Sequence, residues 1–263
     1  MAKALANRAW ARLTVRMLSL FDRRPASQIE VAHDGEIYCV ALRRLPTSRR
    51  YTLRVRAASR DVLLTMPARA SLKSARDFAQ RHAAWIGVRL ARLPKPVAFA
   101  PGEVAPLRGV DHLIVHRPGA RGVVWTEPEG PYLCVAGEAP HAPRRVADFL
   151  KREARRDLTQ AVARHADALG QKPRRLSLRD TTSRWGSCSS TGALNFSWRL
   201  ILAPPYVLDY LAAHEVAHLS HMNHSPLFWA VARRLSPDVE RAEIWLKAHG
   251  ASLHRFGAAT DAG

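Results

Sequence analysis

A chain of 263 residues, 47% hydrophobic and 24% charged, has the composition of a globular protein large enough for a full core in one domain or two. No apolar run approaches the roughly 20 residues that span a bilayer, and the three cysteines, Cys39, Cys134 and Cys188, are too few and too scattered for a disulfide framework or a cysteine zinc cluster, so the expected setting is a reducing cytoplasm. Lys and Arg total 41 against 22 Asp and Glu, a net charge of +19 spread over the whole chain, which admits nucleotides or nucleic acid as partners and equally a solvated basic surface.

In chain order, residues 1–24 form a basic extension with no acid before Asp22, and their apolar positions do not make the continuous stretch of a secretory signal. Residues 25–140 are expected to be a β-rich region with one helix. Short runs at Ile29–Ala32, Ile37–Leu42, Tyr51–Val55 and Val62–Met66 alternate with turn or charged segments, the pattern of an antiparallel meander. Ser71 opens a helix to about Leu93, closed by Pro94 and Pro96, and strands follow at Val110–His116, Gly122–Thr126 and Tyr132–Val135.

Residues 141–250 are expected to form the second domain, followed by a tail over 251–263. A helix runs from Pro143 to Leu169 and ends at Gly170. Two strands, Arg175–Asp180 and Ala193–Leu202, are joined by the loop Thr181–Gly192. Pro204 and Pro205 start a helix from Tyr206 to about His221, Ser225-Pro226 opens another to about Leu235, and Ser236-Pro237 a third to Gly250. The sequence has no internal repeat. The fold class is therefore α+β.

The chemistry concentrates in His214-Glu215-Val216-Ala217-His218, an H-E-x-x-H string on a predicted helix. Residues four apart differ by about 40° around a helix and about 6 Å along it, so two imidazoles converge on one ion from successive turns. Glu215 projects beside them, placed to take a proton from a metal-polarised water. The surrounding helix is apolar (Val207, Leu208, Leu211, Val216, Leu219), so a metal is the economical reason for three polar groups near a buried face.

A catalytic zinc takes three protein ligands and keeps one open position. The candidates for the third are His221, His224, Glu240 and Glu243. His221 lies a further turn along the same face and overshoots an ion centred between His214 and His218. His224 reaches the ion if the helix ends and the chain turns back, and Asn223 followed by Ser225-Pro226 offers that break. Glu243 would instead give a two-histidine, one-glutamate site. The string H-E-x-x-H-x-x-H-x-x-H has the metzincin ligand spacing, with His221 where metzincins carry the turn glycine.

Taken together, Arg184-Trp185-Gly186-Ser187-Cys188, Asn195-Phe196-Ser197-Trp198-Arg199-Leu200, Tyr210, the metal motif and His221-Met222-Asn223-His224-Ser225-x-x-Phe228-Trp229 resemble the YgjP-like predicted metallopeptidases, minimal zincins related to the SprT and WLM proteases. The resemblance is strongest over Arg144–His249 and weaker in the N-terminal half. It implies a zincin-like C-terminal domain, a small sheet beside the metal helix, with one Zn2+ on His214, His218 and His224 and Glu215 catalytic.

Around that centre, Arg184 is expected to bind a substrate carboxylate or phosphate and Trp185 to wall the pocket, while Tyr210 can donate to a developing oxyanion. Asn195 and His221 are candidates for holding the ligand imidazoles. The function that fits is a zinc metallopeptidase using a zinc-activated water and a Glu general base on peptide or protein substrates. Two alternatives stand beside it: a zinc phosphohydrolase acting on nucleotides or another phosphorylated metabolite, and a nucleic-acid-associated protease of the SprT kind.

Overall fold

The computed structural model describes residues 28–56 and 59–257, so the extension expected over 1–24 lies outside the described residues. Two compact units emerge, one containing residues 28–56 and 61–90, the other 59–60 and 91–257. The division falls near residue 90 rather than 140. The reason is hydrophobic: Ile114, Leu133 and Val135 of the second sheet share one buried cluster with Val146 and Leu150 of the helix that follows it.

In the first unit, β1 (Gln28–His33), β2 (Glu36–Leu45), β3 (Thr52–Val55) and β4 (Val62–Pro67) form a sheet in the order β1-β2-β4-β3. Asp34 and Gly35, both at positive φ, make the tight β1–β2 turn. The expected meander is corrected at its centre, where β2 and β4 run parallel and β3 returns on the outer edge of β4. Val62, Leu64 and Met66 alternate inward along β4 and bury against Ala75, Ala79 and Ile86. Those residues lie on α1 (Leu72–Arg81) and α2 (Ala83–Ala91), where a single helix was expected. The break is at His82, whose ring Nδ1 pairs with the Phe78 carbonyl while its backbone caps α1.

The second unit begins with β5 (Val104–Leu107), β6 (Val110–His116), β7 (Val124–Glu127) and β8 (Tyr132–Val135), in the order β5-β6-β8-β7. Its strand senses repeat those of the first sheet, antiparallel, parallel, antiparallel. This is a repeat of topology without a repeat of sequence. Strand β5, which contains Pro106, was not expected. Gly109 at the β5–β6 turn packs so closely on Pro204 that a Cβ there would stand 2.9 Å from the Pro204 Cα, which fixes this sheet against the start of the metal-bearing helix.

Helix α3 (Ala142–Leu169) crosses behind, ends at a left-handed Gly170 as expected, and buries Val146, Leu150, Ala154, Leu158 and Val162. A three-stranded sheet follows: β9 (Arg175–Arg179), β10 (Gly186–Cys188) and β11 (Ala193–Ser197), in the order β10-β11-β9, with β9 and β11 parallel and β10 antiparallel at the edge. The loop expected over Thr181–Gly192 thus contains a strand, and the strand expected to reach Leu202 becomes a 3-10 turn from Trp198. Then come α4 (Pro205–Ala217), α5 (Pro226–Leu235) and α6 (Val239–Leu253), the last of six helices among the described residues. Helix α6 passes through Gly250, where a side chain would press on Trp185, and Leu253 and His254 are buried. Residues 251–257 therefore belong to the fold and are not a tail. No helix among the described residues is long and apolar enough to cross a membrane.

Candidate metal centre

Helix α4 carries His214 and Glu215 and stops at Ala217, four residues before the expected end, with His218 as its C-cap. The last turn tightens, with the backbone N–H of Leu219 and of Ser220 bonded to carbonyls three residues back. The chain then reverses, and Ser225, whose hydroxyl accepts from the Phe228 N–H, caps α5. This early stop brings His224 back over the helix. The side-chain nitrogens of His214, His218 and His224 lie within 4.8 Å of one another.

Geometry and chemistry both suit a divalent metal. Ligands at 2.0–2.1 Å from a tetrahedral zinc stand about 3.3 Å apart, and the Nε2 atoms of His214 and His224 are 3.1 Å apart. His218 donates from Nδ1 to the His221 carbonyl at 2.9 Å, which leaves its Nε2 for the ion. On His214, Nδ1 lies 3.3 Å from the Tyr210 hydroxyl, which in turn donates to Glu243 Oε1 at 2.9 Å. Burial, followed by the charges of His218 and His224, pushes the pKa of His214 down to about 4. That favours the neutral imidazole a metal requires.

Glu215 is buried, and desolvation raises its pKa to about 7 although Arg184 acts to lower it. Its carboxylate lies directly against Gly186: a Cβ at that position would meet Oε1 at 2.4 Å and Cγ at 2.7 Å. The glycine of β10 is thus required by the space the carboxylate occupies. Successive side chains of a strand alternate in direction. Arg184 and Trp185 precede the strand: the Arg184 charge acts on the Glu215 carboxylate, while Trp185 stacks on His254 with ring centroids 5.0 Å apart. Trp185 caps the core and does not wall the metal site.

The same alternation relocates Asn195. It pairs in register with Ser187 and reaches its hydroxyl at 3.5 Å, on the sheet face opposite to Gly186 and Phe196, so it holds no ligand imidazole. His221 supports His218 through its backbone carbonyl and not through its ring. Glu243 stands behind Tyr210, and Glu240 pairs with Arg233 at 2.9 Å, so neither joins the histidine cluster. Sequence reasoning missed the aromatic wall. Phe228, fully buried, stacks on His218 at 4.4 Å and presents its edge to His214 and His224, with Trp229 beside them. The signal was available in the adjacent pair Phe228-Trp229, four and five residues after His224 and just inside the helix that Ser225-Pro226 opens.

Three convergent imidazoles with a buried carboxylate next to them make a candidate metal centre of the HExxH class. The model of the YgjP-like metallopeptidase domain matches residues 49–249, and the chain belongs to that family. Among solved structures, the chain is similar to the metallopeptidase zymogen of Pyrococcus abyssi abylysin, with 20% identity over 35% of this chain and 92% of that one. The TM-score of 0.32 is too low for that likeness to carry an argument. No curated protein matches the chain.

Proposed function

We propose that the protein is a zinc peptidase of zincin-like design, in which His214, His218 and His224 hold one zinc and Glu215 is the general base. The observation that carries this reading is the convergence of three imidazole nitrogens within 4.8 Å at the end of the helix that presents Glu215. Zinc bound there supplies a Lewis acid that polarises a carbonyl and eases ionisation of a water.

The chain's own residues supply the rest. Glu215 takes the proton of the attacking water and returns it to the leaving amine, a task suited to a buried carboxylate with a pKa near 7. Gly186 leaves the room in which that carboxylate is held. Arg184 is exposed, its backbone carbonyl accepts from the Thr181 hydroxyl at 2.8 Å, and its guanidinium has no hydrogen bond or ion pair among the described residues, so that group is available to a substrate carbonyl or carboxylate. Tyr210 and Glu243 fix the His214 ring and its tautomer. Strand β10 lies at the edge of its sheet and packs against α4, which suits an extended peptide bound by strand addition.

Phosphohydrolysis fits less well. Phosphoryl transfer calls for several cations around the transferred group, whereas one guanidinium, that of Arg184, acts on Glu215. The test is to offer zinc-loaded protein fluorescein-labelled denatured casein and nucleoside triphosphates in parallel. Cleavage of casein, abolished by a chelator, supports the proposal. Hydrolysis of the triphosphates without casein cleavage overturns it.

A further inference from the structure

The three imidazoles of the metal centre are not held alike. His214 has the Tyr210 hydroxyl 3.3 Å from its Nδ1, and His218 donates from Nδ1 to the His221 carbonyl at 2.9 Å. A ligand imidazole ordinarily carries such a partner on the nitrogen that faces away from the metal. His224 has none. It is exposed and lies on the turn between α4 and α5, and among the described residues the one hydrogen-bonding partner of its ring is His214, with the two Nε2 atoms 3.1 Å apart. Water is the partner left to its Nδ1, and water holds no ring in place.

What surrounds the His224 ring instead is aromatic. Phe228 meets it edge-on, with centroids 4.7 Å apart and planes at 78°, but Phe228 serves all three histidines and stacks on His218. Trp229 is more selective. It lies 5.8 Å from the His224 ring at a shallow 31°, whereas it meets His214 at 70°. Both separations fall in the range over which ring pairs attract. Trp229 is backed in turn by the Arg233 guanidinium, 5.7 Å from its centroid, which donates to Glu240 Oε1 at 2.9 Å. The chain makes this arrangement locally: Ser225 caps α5 directly after His224, and the Trp229 N–H bonds back to the Ser225 carbonyl at 3.1 Å, so the first turn of α5 carries the indole to the ligand that precedes it.

We propose that Trp229 is the positioning residue of His224, doing by ring packing what the Tyr210 hydroxyl and the His221 carbonyl do by hydrogen bonding for the other two histidines. The proposal rests on the reading of His214, His218 and His224 as metal ligands. A histidine on a turn has several rotamers open to it, and immobilising it on binding costs affinity. Packing the ring against Trp229 moves that cost from metal binding to folding. Arg233 and Glu240 are 57% and 63% exposed, so their ion pair by itself contributes little, and Arg233 acts through the face of the indole.

Trp229 also packs against the main core, so the test needs readouts that a loss of packing alone does not move. Full-length wild type, Trp229→Leu, Trp229→Phe and Trp245→Leu are compared by chelator competition for zinc. Trp245→Leu is the packing control, since its ring packs against the same core and stacks on His249 at 5.1 Å, with no ring contact to the three histidines among the described residues. Trp229→Leu should raise the zinc Kd by about threefold to tenfold, the worth of one aromatic pair. Trp229→Phe should lie closer to wild type, and Trp245→Leu should stay within about twofold. In the zinc-free protein, the His224 Cε1–H resonance, identified by its loss in His224→Ala, should be displaced by ring currents and should move towards the free-histidine position in Trp229→Leu but not in Trp245→Leu. The proposal is overturned if Trp229→Leu binds zinc within about twofold of wild type, if Phe restores nothing, if the control weakens zinc as much, or if the His224 resonance stays in place. A wild type that binds no zinc overturns the metal reading and this proposal together, whereas zinc binding that ignores Trp229 overturns this proposal only.

Discussion

Replacing Tyr210 by Phe removes one oxygen from a buried part of the centre. With Nε2 of His214 turned to the metal, Nδ1 carries the proton and its partner is the Tyr210 hydroxyl at 3.3 Å, itself anchored on Glu243 at 2.9 Å. Tyr210 is 4% exposed, so water does not readily replace the lost acceptor. A buried N–H without a partner costs about 1–3 kcal/mol. Removing a group that orients a ligand imidazole lowers metal affinity by about 10–100-fold, which is about 1.4–2.8 kcal/mol. The two routes agree. Chelator competition should therefore show the zinc Kd of Tyr210→Phe raised by about 10–100-fold, with kcat near wild type once zinc is saturating. Glu243→Gln keeps an oxygen acceptor for the Tyr210 hydroxyl and should change affinity by less than about tenfold. A zinc affinity of Tyr210→Phe within about threefold of wild type would refute the relay. Unchanged affinity with a collapsed kcat would move the hydroxyl from His214 to the substrate.

Other consequences are as direct. Gly186→Ala places a methyl 2.4 Å from Glu215 Oε1 and displaces the carboxylate, so turnover should drop by about tenfold to a hundredfold with zinc content unchanged, and wild-type kcat would contradict it. His224→Ala should empty the site, whereas His221→Ala should retain zinc because its contribution is a backbone carbonyl; equal zinc loss in both variants would show that the His221 ring is needed. Phe228→Ala removes a fully buried ring that stacks on His218, at a cost of about 3–5 kcal/mol. Its melting temperature should fall by roughly 10 °C. A shift under about 2 °C would place Phe228 outside the core.

The parts of the fold legible in the sequence were those governed by local signals. Gly170 ends α3, Ser225-Pro226 opens α5, and β6 and β8 lie at their expected residues because each pattern is written within one segment. Strand order was not legible in this way. The parallel pairing of β2 with β4, and of β6 with β8, depends on which edge a later strand finds, and no residue pattern encodes that choice. Strand β10 was hidden for another reason: Gly186-Ser187-Cys188 has neither bulk nor alternation, and it is a strand because it sits between β11 and the Glu215 carboxylate.

The metal motif was readable because helical spacing is a sequence property, and the placement of His224 followed from the break at Asn223. What failed was the direction of side chains from the sheet. Without the register of β10 on β11, the turning away of Asn195 could not be read. Tyr210 and Glu243 were each recognised as neighbours of the centre, yet their connection spans two helices and exists only once α4 and α6 are packed.

The central claim is that Glu215 acts on a proton and not on the metal. Glu215→Gln is nearly isosteric, fits the same space against Gly186 and lacks a basic oxygen. Measured together on one preparation, zinc content and melting temperature should match wild type, while turnover of denatured casein should fall by about 10²–10⁴-fold. Turnover within about threefold of wild type, under about 1 kcal/mol in the barrier, would contradict the assignment.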